Sequence, residues 1–295
     1  CTGMNPIVDP RYSEASAPPL ISRFLLQHAV ACGHDPELLC RGLGFAPEDL
    51  KRPDYRLSFR QSYRLVRRAL QVLGDNGLGL TVGSRQTPVS WGLAGLAMLA
   101  CPDLGTALDL GLRYQWHIGS LLDYHIEIVD DQVLFYATPR FFDPEVAVFY
   151  LEEAFASSLA IVRFLTGADL VASHIEVQYP APPHAQRYAE LFRCPVRFAC
   201  EHNRMQFPAA WLQLPLPTRD DYAAAEACML LDSAGRHEQG LSDLIETIER
   251  EVRKRLESPP SLSQLASQLN LSERTLRRRI GDAGLSYHGI VDELR

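Results

Sequence analysis

The sequence predicts an α+β domain, in which helices pack on a mostly antiparallel sheet, followed by an all-α domain of short helices. Three observations predict this arrangement. Apolar residues recur at helical spacing before residue 117, alternate over 122–137 as in a β-hairpin, and return to helical spacing after residue 218. The 295 residues are 46% hydrophobic, which is enough to build a core in each domain.

The first part of the α+β domain is predicted to be helical. Residues 20–30 carry apolar side chains near one face, and Gly33 follows as a helix stop. Further helices are expected over 36–43, after the capping residue Ser58, over 91–100 and over 104–116. The glycine-rich stretch Gly74–Gly79 follows a helix and lacks a P-loop lysine, so it predicts a turn and not a nucleotide-binding loop.

The second part of the same domain contributes the sheet. Residues 122–129 and 133–137 predict a hairpin that turns at Asp130–Asp131. Residues 145–166 are apolar nearly all round, which places this helix at the centre of the domain. The remaining strands are expected over 173–179, 196–199 and 205–207, with a helix opened by proline over 182–192.

Residues 261–280 predict two short helices joined by a tight turn. Ser261 and Gln264 fit a capping box at the start of the first helix, whose apolar residues recur at helical spacing. Asn270 belongs to the turn, and Ser272 is a natural N-cap for the second helix. This anatomy is typical of a helix-turn-helix.

The second of these two helices concentrates positive charge on an acidic chain. Residues 272–280 contain four arginines and one glutamate, a local net charge of +3 (4 − 1), whereas the whole chain carries −7. Arginine suits both phosphates and the guanine edge in the major groove. A solvated surface helix is the alternative interpretation. Because cap, turn and charge agree, the sequence favours binding to double-stranded DNA.

Several residues of this segment form a recognisable set. The set comprises Ala266, Leu271-Ser272, Arg274-Thr275-Leu276, Arg278, Gly284-Leu285-Ser286-Tyr287 and Leu294-Arg295. It resembles the DNA-binding domain of the AraC/XylS family of transcription regulators. Upstream, three further segments resemble the arabinose-binding-like sensor domain of ornithine-utilisation-type regulators: Phe59–Thr87, Cys101–Trp116 and Val171–Leu216.

The resemblance implies a cytoplasmic bacterial regulator that binds double-stranded DNA as a homodimer. It also implies a small-molecule effector, for which an amino acid such as ornithine is a candidate. In the family, residues matching Arg274, Arg277 and Arg278 face the bases, and we add Ser272 and Thr275 as neighbouring candidates. Two helix-turn-helix units are typical of the family, so the DNA-binding domain is expected to be incomplete at its C-terminal end.

The predicted domain organisation has four parts. A tag remnant and disordered N-terminus cover 1–19, an effector-sensing and dimerisation domain 20–217, a linker helix and hinge 218–237, and the first half of the DNA-binding domain 238–295. The hinge is expected at residues 233–235. An apolar stripe, Leu241, Ile245, Ile248, Val252 and Leu256, predicts either a coiled-coil seam or, preferred here, a helix packed inside the last domain.

Two adjacent glutamates, Glu152 and Glu153, interrupt the apolar helix over 145–166. A buried carboxylate is costly unless it is paired. One of them could therefore hold a cationic effector such as a basic amino acid, or it could pair with an arginine, which is weakly favoured. The arginines considered are Arg113, Arg140 and Arg163. The effector-site candidates are Trp116, Tyr124, Tyr136, Arg140, Tyr150, Glu152 and Glu153.

Other classes of function find little support in the sequence. It contains no GxSxG, HExxH or P-loop motif, so an enzyme with an accessory DNA-binding tail ranks behind a regulator, as does a constitutive DNA-binding dimer without an effector. His117 and His125 lack a second ligand at usable spacing, and Cys194 and Cys200 are interpreted as structural thiols in preference to a metal or redox pair. Neither a metal nor another cofactor is predicted, nor a signal peptide or membrane span.

Overall fold

The computed structural model describes residues 10–115, 117–253, 255, 258–269, 271–282 and 285–294. The chain folds into two units, Cys1–Cys228 and Met229–Arg295. The first unit mixes helices with one sheet, as the sequence predicts. Among the described residues, no helix is both long enough and apolar enough to cross a membrane.

The first unit contains eight α-helices that lie wholly within its described residues. They are α1 Leu20–Ala31, α2 Pro36–Cys40, α3 Phe59–Leu73, α4 Leu78–Gly83, α5 Gly92–Ala100, α6 Leu104–Arg113, α7 Ala147–Thr166 and α8 Gln186–Phe192. Ser58 caps α3 as predicted, because its hydroxyl accepts from the Gln61 backbone N–H at 3.1 Å and the Gln61 side chain accepts from the Ser58 N–H at 2.9 Å. The glycine-rich stretch forms a turn up to Gly77, with φ of 79° at Gly74 and 70° at Gly77, and its last two residues begin α4.

The sheet has five strands in the order β1-β2-β5-β3-β4. Their bounds are β1 Leu122–Val129, β2 Gln132–Pro139, β3 His174–Glu176, β4 Val196–Arg197 and β5 Arg204–Pro208. All neighbouring pairs are antiparallel except β3 with β4. The predicted hairpin is confirmed, with Asp130 in the left-handed region at a φ of 55°.

Several predicted elements are longer than the observed ones, and two of them show why. The strand expected over 173–179 is reduced to β3, although the Val177 N–H still donates to the Arg197 carbonyl at 3.0 Å. The helix expected from residue 182 begins at Gln186, because residues 182–185 form a turn in which the Ala185 N–H donates to the Pro182 carbonyl at 3.0 Å. In both places, proline and local turns end the regular hydrogen bonding sooner than the apolar pattern indicates.

Helix α7 is the central element of the first unit, as its apolar sequence predicts. Fourteen of its twenty residues are buried. Helix α4 packs closely on it, because a Cβ at Gly79 would overlap the Phe149 carbonyl and one at Gly83 would overlap the Glu153 carbonyl. The two glycines therefore let the backbones of α4 and α7 approach at the level of Glu152 and Glu153.

The described part of the second unit is helical. Helix α9, Asp221–Arg253, enters it and is followed by α10 Leu262–Gln268, α11 Glu273–Asp282 and α12 Tyr287–Leu294. Residues 233–235, where the sequence predicts a hinge, lie within α9, whose backbone stays helical through them. The hinge itself stays a prediction. One glycine costs a helix about 1 kcal/mol relative to alanine, which flanking helix-forming residues can offset.

The core of the second unit joins all four helices. Its buried residues are Leu244, Ile248, Val252, Leu265, Ala266, Leu276, Ile280, Ile290 and Val291. Ile248 and Val252 are fully buried here, which agrees with a helix packed inside this unit and not with an exposed coiled-coil seam. The side chains of Leu241 and Leu256, also part of the predicted stripe, lie outside the described residues, as does Asn270.

Candidate functional site

The two adjacent glutamates of α7 lie in different surroundings. Glu152 is 1% exposed and Glu153 is 3% exposed, so both carboxylates have left water. Neither forms an ion pair with an arginine or lysine among the described residues, so the favoured pairing with Arg113, Arg140 or Arg163 is not observed. Two of these arginines bond other acids instead. Arg113 donates to Asp109 at 3.0 Å, and Arg140 donates to Asp123 at 2.7 Å.

Glu152 is enclosed by a hydrogen-bonded network that reaches α8. Its Oε1 accepts from the Tyr188 hydroxyl at 2.6 Å and lies 2.5 Å from the His184 Nε2. The Tyr188 hydroxyl lies 2.9 Å from that of Tyr179, so the network continues to a second tyrosine. Burial raises the pKa of Glu152, and the hydrogen bonds from Tyr188 and His184 oppose this rise.

Asp75 lies near the same network and completes the one group of possible metal ligands among the described residues. One ligand atom each from Asp75, Glu152 and His184 lies within 4.8 Å of the others. The carboxylate of Glu152 and the ring of His184 already bond each other, and Asp75 is exposed. The arrangement therefore works as a buried acid–histidine pair that ties α7 to the turn before α8.

Glu153 has a simpler environment. One of its oxygens accepts from the Gln86 side-chain amide, whose oxygen in turn accepts from the Trp91 indole N–H at 2.7 Å. Burial raises the pKa of Glu153 to about 7, while the hydrogen bonds from Gln86 and Ser157 lower it. Glu153 is thus a buried acid held by neutral donors.

Glu153 lines a cavity of the first unit. The cavity lies between α7, the α5–α6 pair and the inner face of the sheet, and its volume is about 80 Å³. This is several times the space that one water requires. Most of the lining is apolar, including Met98, Phe135, Phe207 and Trp211. A concave, mostly apolar space with one charged group is typical of a small-molecule site.

Of the predicted effector-site residues that the structure describes, two line this cavity. Glu153 and Tyr124 line it. Tyr136 lies on the opposite face of the sheet, where its ring stacks on His125 with centroids 4.5 Å apart. Tyr150 packs on Tyr63 with ring centroids 5.1 Å apart. Trp116 lies outside the described residues.

Several lining residues were not identified from the sequence. Gln86 and Trp91, which orient Glu153, are distant from it in the chain and belong to no motif. Met98 and Trp211 fit ordinary apolar positions. Only the polarity of Gln86 between apolar helices could have drawn attention to it, since buried polar residues are uncommon.

A second candidate site lies on α11. Leu276 and Ile280 face the core and are 0% and 2% exposed, which fixes the orientation of the helix. Arg274, Arg277 and Arg278 are exposed and line one shallow depression together with Glu273. Because successive residues of an α-helix are turned by about 100°, the three arginines fall within one sector about 100° wide. This sector faces away from Leu276 and Ile280. They form one basic face.

The start of α11 is organised as the sequence predicts. The Ser272 hydroxyl accepts from the Thr275 N–H at 3.1 Å and lies 2.7 Å from the Thr275 hydroxyl. Arg277 bonds Glu273 one turn away at 2.6 Å. No ion pair of Arg274 or Arg278 occurs among the described residues, so both guanidinium groups face solvent and can meet an anionic partner.

Comparisons with known proteins agree on one family. Residues 33–216 match the family described as the arabinose-binding domain of AraC transcription regulators, N-terminal. The ornithine utilization regulator of Pseudomonas aeruginosa is 30% identical over 254 residues, which are 84% of this chain and 74% of that protein. An HTH-type transcriptional regulator of Mycobacterium tuberculosis is 28% identical over 312 aligned positions, covering 97% of this chain and 85% of that protein.

A solved structure supports the same fold. The crystal structure of the transcriptional regulator CdpR from Pseudomonas aeruginosa matches with a TM-score of 0.56 at 19% identity, covering 93% of this chain and 82% of that chain. At this identity the likeness bears on the fold alone, whereas the family match extends over most of the first unit. The chain therefore belongs to the AraC transcription regulators that carry the arabinose-binding N-terminal domain, and it is a transcription regulator and not an enzyme.

Proposed function

We propose that the protein recognises operator DNA through the basic face of α11 and that a small molecule in the cavity beside Glu153 controls this binding. The observation that carries the DNA part is the exposure of Arg274, Arg277 and Arg278 on one face of a helix whose other face is buried. The remaining claims build on it.

The geometry of α11 supports insertion into a major groove. In helix-turn-helix proteins, the residues near the N-terminus of the second helix contact base edges while the preceding helix crosses the backbone. Ser272 and Thr275 are at that N-terminus, where hydroxyls and backbone N–H groups suit phosphate oxygens. Arg274 and Arg278, one turn apart, are suited to bidentate contact with guanines.

The effector part depends on Glu153. Its carboxylate accepts one amide hydrogen bond and has room for further donors on the cavity side. An ammonium group is the partner that best compensates a buried carboxylate. Amino acids with a basic side chain are one class of molecule with such a group, and the name of the ornithine utilization regulator makes ornithine one candidate.

We further propose that the regulator acts as a homodimer on paired half-sites, which is the usual geometry for a helix-turn-helix protein. The effector would act by binding the DNA-competent arrangement more tightly than the other. A constitutive DNA-binding dimer without an effector is the alternative. A ligand that raises the melting temperature and changes DNA affinity would exclude this alternative.

The DNA-binding part is tested with duplexes selected by the protein from a random library, in gel-shift titrations at matched salt. Arg278→Ala should weaken binding on the order of 1–3 kcal/mol and relax base preference at one position. Arg279→Ala is the matched control, because it removes the same charge about 100° further round the helix. Equal losses of base discrimination in the two variants would contradict base recognition by Arg278.

A further inference from the structure

The cavity beside Glu153 has few polar groups that remain available to a ligand. Gln115 lines it, but its amide nitrogen donates to the Leu112 and Tyr124 carbonyls and its oxygen accepts from the Tyr124 N–H at 2.8 Å. Ser120 also lines it, and its hydroxyl donates to the Leu122 carbonyl at 2.6 Å. These side chains hold the start of β1 in place.

The groups nearest Glu153 are likewise occupied. Gln86 donates to Glu153 and accepts from Trp91, and the Ser157 hydroxyl lies within reach of both the Ala154 carbonyl, at 3.2 Å, and Glu153. A carboxylate can accept several hydrogen bonds, so Glu153 retains capacity that Gln86, Gln115 and Ser120 have used. The strongest site for a ligand's polar group is therefore the Glu153 carboxylate.

The charges of the lining set a second condition. Glu153 is the one ionisable acid or base with a formal charge at neutral pH among the described lining residues, which include no arginine, lysine, histidine or aspartate. A ligand carboxylate buried here would lack a cationic partner and would lie near a like charge. The rest of the lining, from Met98 to Trp211, offers apolar surface.

We infer that the cavity binds a molecule with an apolar body and a single protonated amine, and that it discriminates against the free amino acid with the same body. The inference rests on the proposed function, in which this cavity holds the effector. The amine would donate to Glu153, and the body would extend along α7 past Ser157 toward Ile161, roughly 12 Å away at 1.5 Å rise per residue.

The binding event follows from electrostatics and desolvation. An ammonium group beside Glu153 stabilises the ionised carboxylate. Without such a partner, burial disfavours the charged form. The apolar body gains by leaving water, in proportion to the area that it buries. An α-carboxylate on the same body would forfeit part of this gain, because no described lining residue neutralises it.

The test uses four compounds on the full chain: 2-phenylethylamine, 2-phenylethanol, phenylalanine and ornithine. The first three share one phenylethyl body and differ in the head group alone. Isothermal titration calorimetry at about pH 8 should give a dissociation constant for the amine that is about tenfold or more below those of the alcohol and of both amino acids. Tenfold corresponds to about 1.4 kcal/mol.

Two variants locate the binding. Glu153→Gln keeps the side-chain shape and should remove the preference for amine over alcohol. Ser157→Leu leaves the carboxylate in place but fills the cavity, and it should weaken both compounds. Far-UV circular dichroism checks that each variant is folded, and the comparison of compounds on the unaltered chain needs no variant.

The outcomes separate this inference from the proposed function. Phenylalanine or ornithine binding as tightly as 2-phenylethylamine would overturn the inference while leaving effector control intact. Failure of the amine to bind, or equal binding of amine and alcohol, would also overturn it. If the amine binds as expected but leaves gel-shift affinity unchanged, the inference stands and the proposed effector control of DNA binding fails.

Discussion

Glu152 and Glu153 are neighbours in the sequence and identical in chemistry, yet their surroundings in the first unit differ. Glu152 Oε1 receives a tyrosine hydroxyl and a histidine ring nitrogen within 2.6 Å. Glu153 accepts hydrogen bonds from Gln86 and Ser157, both neutral, and borders a cavity. The pKa of both carboxyl groups is raised by burial, but opposing hydrogen bonds come from different kinds of partner.

The comparison teaches that burial of a charge does not by itself define its role. In Glu152 one carboxylate oxygen is held by His184 and Tyr188, which stabilises a particular packing of this region, while the buried Oε2 has no hydrogen-bond partner among the described residues. A carboxylate with neutral donors and adjacent space is poised for a partner from outside the chain. We therefore expect the two glutamates to respond in opposite directions to substitution.

The largest effect is expected for Glu152→Ala. Removing the acid leaves His184 and Tyr188 buried without their partner, and loss of one member of such a pair costs roughly 3–5 kcal/mol of unfolding free energy. Urea unfolding followed by tryptophan fluorescence measures it, since all three tryptophans lie in the first unit. Glu127→Ala, at a half-exposed carboxylate on β1, is the control and should change stability by less than about 0.5 kcal/mol. Similar losses in both variants would contradict a special role for the network.

The next largest effect is a gain in stability that depends on pH, and it is expected for Glu153→Gln. The pKa of Glu153 is about 7 in the folded chain against a usual value of 4.5, so folding favours its protonated form. This contribution to stability is complete below pH 4.5 and is lost as pH rises through 7. Glu153→Gln has no such loss, so its stability relative to the wild type should increase by about 3 kcal/mol between about pH 5 and pH 8.

Burial raises the pKa of Tyr124 and of Tyr150, and the charge of Glu153 raises both further. They stay protonated over this range and do not mask the effect. Urea titrations of both proteins at four pH values provide the measurement. Parallel stability curves for Glu153→Gln and wild type would show that Glu153 is ionised in the folded chain at all these pH values.

Much of the fold follows from local sequence signals. Ser58 caps α3 and Ser261 forms a capping box with Gln264, as predicted, and α7 is buried as its composition indicates. Residues 233–235, where the sequence predicts a hinge, are helical in α9, because a single glycine lowers helix propensity without forbidding a helix. Tertiary context decides such positions, and a single sequence does not reveal it.

The candidate site could be predicted from the sequence only in part. Two adjacent glutamates in an apolar helix indicate that something must compensate them, and this much is local. Which partner each glutamate finds depends on His184 and Gln86, far away along the chain, and neither belongs to a periodic pattern. By contrast, the basic face of α11 lies within five consecutive residues of one helix, so helical periodicity alone could orient its arginines.

A smaller loss is expected for Gly83→Ala. Its new Cβ would overlap the backbone carbonyl of Glu153, and overpacking of this kind costs about 1–3 kcal/mol. Gly79→Ala, which would overlap the Phe149 carbonyl and press on Glu152, should cost at least as much because it also disturbs the hydrogen-bonded network. Thermal unfolding by circular dichroism compares them. Unchanged melting temperatures in both variants would mean that α4 and α7 can separate without cost.

The smallest effect tests how far the network around Glu152 extends. Tyr179→Phe removes the hydroxyl that lies 2.9 Å from the Tyr188 hydroxyl, and one such hydrogen bond contributes about 0.5–1.5 kcal/mol. Tyr136→Phe, whose hydroxyl makes only 3.3 Å contacts on the outer face of the sheet, is the matched control and should remain within about 0.5 kcal/mol of wild type. If Tyr179→Phe is as mild as its control, the network ends at Tyr188. If it is costlier, the hydrogen bonding of Glu152 Oε1 depends on a relay of two tyrosines, and the contrast with Glu153 reaches beyond the residues that touch each carboxylate.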